Sequence, residues 1–173
     1  MRETPEELTE LQALLDASLA RSTTHLRSII DTDRTLTAEQ LTAVLTGMRV
    51  LALSTVTAQG EPRISAVDGH FLHGRWYFGT ARTAAKARHL AARPGASVAH
   101  LNGEELGVFT HGTVEEVNPE TGEPDAEWPE LLAYFKDLYG EDAFDWDSEV
   151  VFYRLRPQWM TVYAPDLTKL ATE

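Results

Sequence analysis

The feature that most constrains this chain is a series of short apolar segments of period two, joined by tight turns. From Arg49 onward, "RVLALSTVTAQGEPRISAV" reads as two strands around Gln59-Gly60, and "HFLHGRWYFGT" as two more around His73-Gly74. A helix from Arg82 to about Arg93 follows, ended by "RPG". The segments "ASVAHL" and "LGVFTHGTVEEV" are strands around Asn102-Gly103. A polar loop runs from Pro119 to Pro129, and "WPELLAYFKDLYG" is an amphipathic helix. "EVVFYRLRP" and "WMTVYA" are the last strands. Six to eight short strands joined mostly by tight turns leave exposed edges unless the sheet closes on itself. Helices do not alternate with strands throughout, as a parallel doubly wound sheet would require. The expected class is therefore mainly β with helices, an antiparallel barrel.

Two helical segments precede the strands. "TPEE" at Thr4–Glu7 is a capping box with Pro5 at the first helical position, and Leu8, Leu11, Leu15 and Leu19 follow at helical spacing. Residues 1–36 are read as a helical extension with an acidic outer face, and 37–173 as the barrel domain. A second capping box, "TAEQ" at Thr37–Gln40, opens a short helix that stops near Gly47. The acidic start resembles no leader peptide, and no apolar run is long enough to span a bilayer, so the expected location is cytoplasmic. The chain has no cysteine, which excludes disulfides, Cys-based zinc sites and thiol catalysis.

Net charge is −12, which disfavours nucleic acid and anionic membranes as partners. Its distribution is uneven. From Pro62 to Gly103 there are six Lys and Arg (Arg63, Arg75, Arg82, Lys86, Arg88, Arg93) against one acid, Asp68, so this segment is +5 and the remainder −17. No glycine-rich dinucleotide or P-loop motif, nucleophile elbow or H-E-x-x-H occurs. His70 and His73, three apart on a strand, point to opposite faces, and His89, His100 and His111 belong to different elements. They are read as structural or surface residues, not a metal site.

The chemistry concentrates in "YFGTARTAAKARHLAARPG", Tyr77 to Gly95, where a strand gives way to a helix. Thr80 and Thr83 offer hydroxyls there, helix-start amides favour an anion, and Arg82, Lys86 and Arg88 supply positive charge. Arg63, on an earlier strand, is placed to point the same way. Read on residues alone, this is either a site for a terminal phosphate or an amphipathic surface helix with its cations in water.

The pattern G-E-P-R-I-S-A-V … W-Y-F-G-T-x5-K-A-R-H-L-A-A-R-P-G-A-S-V, well matched over Thr42–Leu101 and loosely to Tyr163, resembles the pyridoxamine 5′-phosphate oxidase-like, flavin-binding split-barrel superfamily. It looks closest to the branch of flavin- and deazaflavin-dependent oxidoreductases. The resemblance implies a six-stranded antiparallel split β-barrel, following the N-terminal helical extension. It further implies a homodimer with FMN, or the deazaflavin coenzyme F420, between subunits; some relatives bind haem. Lys86 and Thr80 are the first cofactor-binding candidates, then Arg63 and Ser65, with Thr83 and Arg88 behind them. Trp159, with Arg154 and Arg156, lies on the last strands. There it either packs the barrel or approaches the partner subunit's cofactor.

The chain departs from the pattern in having Ala84 and Ala85 before Lys86, where Arg or Ser is frequent, so that either one phosphate contact is missing or Arg82 replaces it, and His89 where Asn is frequent. It does not show the C-terminal signature that grips the pyridoxal product, so vitamin B6 synthesis is not implied. The implied activity is hydride transfer between bound cofactor and a small organic substrate. The alternatives are non-enzymatic flavin or haem storage and a cofactor-free dimeric interaction module.

Overall fold

The computed structural model describes residues 3–141 and 149–172. Six antiparallel strands close into a barrel: β1 (Met48–Val56), β2 (Pro62–Leu72), β3 (Arg75–Ala81), β4 (Gly95–Asn102), β5 (Leu106–Glu116) and β6 (Val150–Tyr163), in the spatial order β1-β2-β3-β6-β5-β4, with β4 returning to β1. Helices α1 (Pro5–Arg21), α2 (Thr24–Ile29) and α3 (Ala38–Val44) precede the barrel. Helix α4 (Ala85–Ala92) joins β3 to β4, α5 (Trp128–Tyr139) lies between β5 and β6, and a 3-10 helix (Leu167–Thr172) follows.

Both expected capping boxes form: Thr4 with Glu7 at the start of α1, and Thr37 with Gln40 at the start of α3. The His73-Gly74 turn has φ of 53° and 69°, the two-residue geometry whose twist suits a hairpin. Two expected strand pairs are single strands. "ISAV" and "HFL" are one strand, β2, because Gly69 continues the ladder opposite Arg49 and Phe78; a Cβ there would lie 2.3 Å from Leu51. "EVVFYRLRP" and "WMTVYA" are likewise one strand, β6. Its Pro157 sits opposite Gly112 at a register shift, the setting in which a strand tolerates proline.

Alternation along the strands sends Leu51, Leu53, Val67, Phe78, Val98, Val108, Leu155 and Met160 into the barrel. Leu11 and Leu15 of α1 and Leu41 and Leu45 at α3 join the same core, and the Met160 amide donates to Ser18 Oγ at 2.9 Å. A second cluster lies outside the barrel, where α5 packs Trp128, Leu131 and Phe135 against Leu72, Tyr77 and Phe152.

The pairing of β2 with β3 defines the split. They are bonded only over Gly69–Leu72 and Arg75–Phe78. Beyond that point β2 continues along β1 and β3 along β6, so the two strands part toward the end where α4 sits.

Candidate functional site

Helix α4 begins later than its sequence suggests, at Ala85. The Arg82 amide donates to Glu149 O at 2.9 Å and the Ala84 amide to Ala81 O at 2.9 Å, which holds Arg82–Ala84 as a turn. Thr83 is therefore not the cap; Ala84 is, and it makes no side-chain cap hydrogen bond. Ala87 and Leu90 enter the barrel core, and His89 Nδ1 is hydrogen-bonded to the buried Thr55 hydroxyl at 3.0 Å. The helix is thus pinned across the barrel end with its N-terminal amides uncapped by a side chain. That end of a helix favours an anion.

The six cations of the basic segment fall into two groups. Arg93 Nε donates to Val56 O at 2.9 Å, Arg88 Nη1 to Thr83 O at 2.6 Å, and Arg82 Nη2 to Asn118 O. Arg75 pairs with Glu127 at 3.5 Å, and Arg63 with Glu61 at 2.6 Å. Lys86, half-buried in the first turn of α4, has no hydrogen-bond or ion-pair partner among the described residues. Ser65 and Thr80, both half-buried, share the strand faces that carry Val67 and Phe78 inward, on the stretches of β2 and β3 that have parted. Arg63 shares that strand face too, but its guanidinium runs to Glu61.

Trp159 lies elsewhere. It is on the outer face of β6, not in the barrel interior, stacked on His111 at 4.7 Å between ring centroids. His111 is held by Ser97 Oγ at 2.8 Å, and partial burial lowers its pKa. Thr80 pairs with Val151, so Trp159 is eight residues further along β6, roughly 26 Å away at strand rise. Arg154 is also not at the split. It is buried and binds Glu115 at 2.7 Å, Asp125 at 3.0 Å and Glu127 at 2.7 Å; the Tyr77 hydroxyl donates to Glu127 at 2.6 Å. Arg156 pairs with Glu115. Burial opposes ionisation of Glu115 and Glu127. Hydrogen bonds to Arg154 outweigh it, helped by Arg156 at Glu115 and by Tyr77 at Glu127, and hold both carboxyls below their ordinary pKa. The network ties the β5–α5 loop to the sheet.

The histidines read as structural each have a local partner. His70 is buried between Tyr134 OH (3.4 Å) and Tyr139 OH (3.1 Å), and burial pushes its pKa down to about 4. His73 Nδ1 meets Glu7 at 3.1 Å. Among the described residues no cluster suited to a metal ion occurs.

Sequence reading missed the outer sheet face. Val50 (57% exposed), Ile64 (75%), Leu101 (60%) and Phe109 (36%) lie on adjacent strands β1, β2, β4 and β5. The alternation that buries Leu51 and Leu53 was the available signal, because it also directs Val50 outward.

A closed six-stranded barrel, parted along one seam with a basic helix across its end, is a split-barrel protein. The chain belongs to the pyridoxamine 5′-phosphate oxidase family, whose model matches residues 37–163. Among solved structures, it is similar to a conserved hypothetical protein of Mycobacterium tuberculosis (TM-score 0.64, 18% identity, 83% of this chain and 94% of that one). It is also similar to the haem storage protein of Vibrio cholerae (TM-score 0.59, 18% identity, 73% and 92%). A third similar structure is an F420 reductase (TM-score 0.52, 20% identity, 68% and 93%). At these identities the likeness shows the fold. No curated protein sequence matches significantly.

Proposed function

We propose that this chain is a flavin- or deazaflavin-dependent oxidoreductase that works as a homodimer on a small organic substrate, with the cofactor's phosphorylated tail held at Lys86. One observation carries the reading: of six cations in the basic segment, Lys86 is the one with no acceptor among the described residues. It stands on an uncapped helix start beside a parted pair of strands. Leaving a half-buried ammonium there without an anion is unfavourable; a phosphate would relieve it. Ser65 and Thr80 add hydroxyls. Arg63 and Arg88 have exposed side chains that a dianion can draw from their present partners, whereas Arg82 is committed to Asn118.

The dimer reading rests on the exposed apolar side chains Val50, Ile64, Leu101 and Phe109 of neighbouring strands, a grouping of the kind that marks interaction surfaces, and on Trp159. At roughly 26 Å along the strand from Thr80, Trp159 meets a cofactor at Lys86 only across an interface. A bound flavin supplies the hydride chemistry, while the protein binds, orients and keeps water away; no side-chain nucleophile is required. Lys86, α4 and the hydroxyls hold the tail, and α5 borders the substrate side. A cytoplasmic location, without membrane or nucleic-acid partners, completes the reading.

Haem storage is the second reading. It is favoured by His111, an exposed imidazole beside the apolar side chains of that face, with its pKa lowered by partial burial and its ring held by Ser97. Titration of the purified protein with FMN, F420 and haem separates the readings. Tight binding of FMN or F420, with turnover using NAD(P)H or reduced deazaflavin, supports the first. A Soret band without flavin binding supports the second. Binding of none refutes both.

A further inference from the structure

The barrel end opposite α4 holds a cavity of about 420 Å³ that the proposed cofactor site does not use. It opens between α3 (Gln40, Val44), the start of β1 (Arg49), the end of β4 (His100), the start of β5 (Leu106) and the C-terminal 3-10 helix (Leu167). Arg49 and Val56 are seven steps apart on β1, so this cavity lies roughly 23 Å from the α4 end.

Arg49 decides what the cavity is for. Its Nη2 donates to Val44 O at 2.9 Å. Its Nε–H is buried with no acceptor, and among the described residues no carboxylate pairs with it. A guanidinium drawn partly out of water is expected to find an anion, and Arg154 in the same fold has three. The nearby rim carboxylate, Glu105, faces Lys169 at 4.0 Å instead. His100 is buried in the wall, with its Nδ1–H donated to Val50 O at 3.1 Å. Leu36, Val44, Leu106, Leu167 and Leu170 supply an apolar wall, and Gln40, Thr46 and Asn102 add uncharged polar groups beside the Glu105–Lys169 pair. One unmatched cation beside an apolar wall, in an enclosure within the size range of small-molecule sites, selects an anion with a compact hydrocarbon body.

We infer that this cavity binds a small monocarboxylic acid, its carboxylate on Arg49 and its hydrocarbon body against Leu106 and Leu167. The test is calorimetric titration of the full chain with hexanoate and benzoate, with hexanol and benzyl alcohol as uncharged counterparts. Amide chemical shifts locate the site. The expected result is saturable binding of the acids, with shifts at Arg49, His100 and Leu106. The alcohols, and the acids on Arg49→Gln, should bind at least roughly tenfold more weakly, the loss of a charge-assisted hydrogen bond. Leu167→Trp, made on an exposed rim, should block binding. The inference is overturned if neither acid binds saturably, if the alcohols bind as well as the acids, or if the shifts map elsewhere. Retained affinity in a folded Arg49→Gln protein also overturns it. Should that variant unfold, undiminished binding to Leu167→Trp overturns it as well. FMN binding reports separately on Lys86, so either site can fail without the other.

Discussion

Replacing Lys86 with alanine tests the proposed cofactor site most directly. Its ammonium has no other acceptor among the described residues, so nothing inside the protein competes for the interaction with phosphate. A hydrogen bond involving a charged group contributes about 1.5–3 kcal/mol, which converts to about 10–150-fold in Kd. Half-burial and the mobility of a lysine place the expected loss toward the lower end, about 10–30-fold. Arg63 must first leave Glu61, an exposed pair itself worth about 0–1 kcal/mol, and Arg88 must leave Thr83 O. Alanine at either should therefore cost less, about threefold. Lys86 is outside the core and alanine is the better helix former, so thermal stability should not change. Flavin-fluorescence quenching at several salt concentrations is the assay, because Lys86→Ala should also flatten the salt dependence while Lys86→Arg retains it. A Lys86→Ala protein that binds within twofold of the parent would remove Lys86 from the site, and equal damage from Arg88→Ala would refute the ranking of Lys86 above the paired arginines.

Three further outcomes are expected. Arg154→Met strands Glu115, Asp125 and Glu127 together and should destabilise by about 3 kcal/mol in urea unfolding, the low end for a broken buried pair because Glu115 is partly exposed. The pKa values of these carboxyls are lowered in the folded protein, so the parent should lose stability as pH falls through and below their ordinary values. Arg154→Met should lose much less over that range. His70, with its pKa pushed down to about 4 from 6.5, binds its proton more readily when unfolded. Stability should therefore fall by up to about 3 kcal/mol between pH 6.5 and 4, and His70→Gln should remove that slope from Tm measured against pH. On the proposed dimer, Ile64→Lys on the apolar sheet face should shift sedimentation to that of a monomer and weaken flavin binding in step; an unchanged sedimentation coefficient counts against the interface.

Locally encoded features were legible before the fold was known. Both capping boxes and the His73-Gly74 turn depend on residues within one turn of each other, and each formed. Features settled by distant partners were not legible. Gly69 and Pro157 resemble strand breaks in a linear reading, but Leu51 packs against one and Gly112 receives the other. The start of α4 was misplaced because Glu149, distant in sequence but just before the neighbouring strand β6, takes the Arg82 amide next to the Ala81–Val150 pair.

The distribution of charge shows the same divide. A net +5 segment in an acidic chain suggested a collective electropositive patch. Arg75, Arg82 and Arg93 instead find acceptors 52, 36 and 37 residues away, and the acids of the β5–α5 loop absorb Arg75 and Arg154. These arginines fasten α4 and the β5–α5 loop to the barrel. The field left at the split comes from Lys86 and the uncapped α4 amides, with Arg63 and Arg88 in reserve behind weak exposed partners. The proposed site would suit one small phosphate group better than an extended polyanion, because its charge is confined to a single helix turn and surrounded by a protein of net −12.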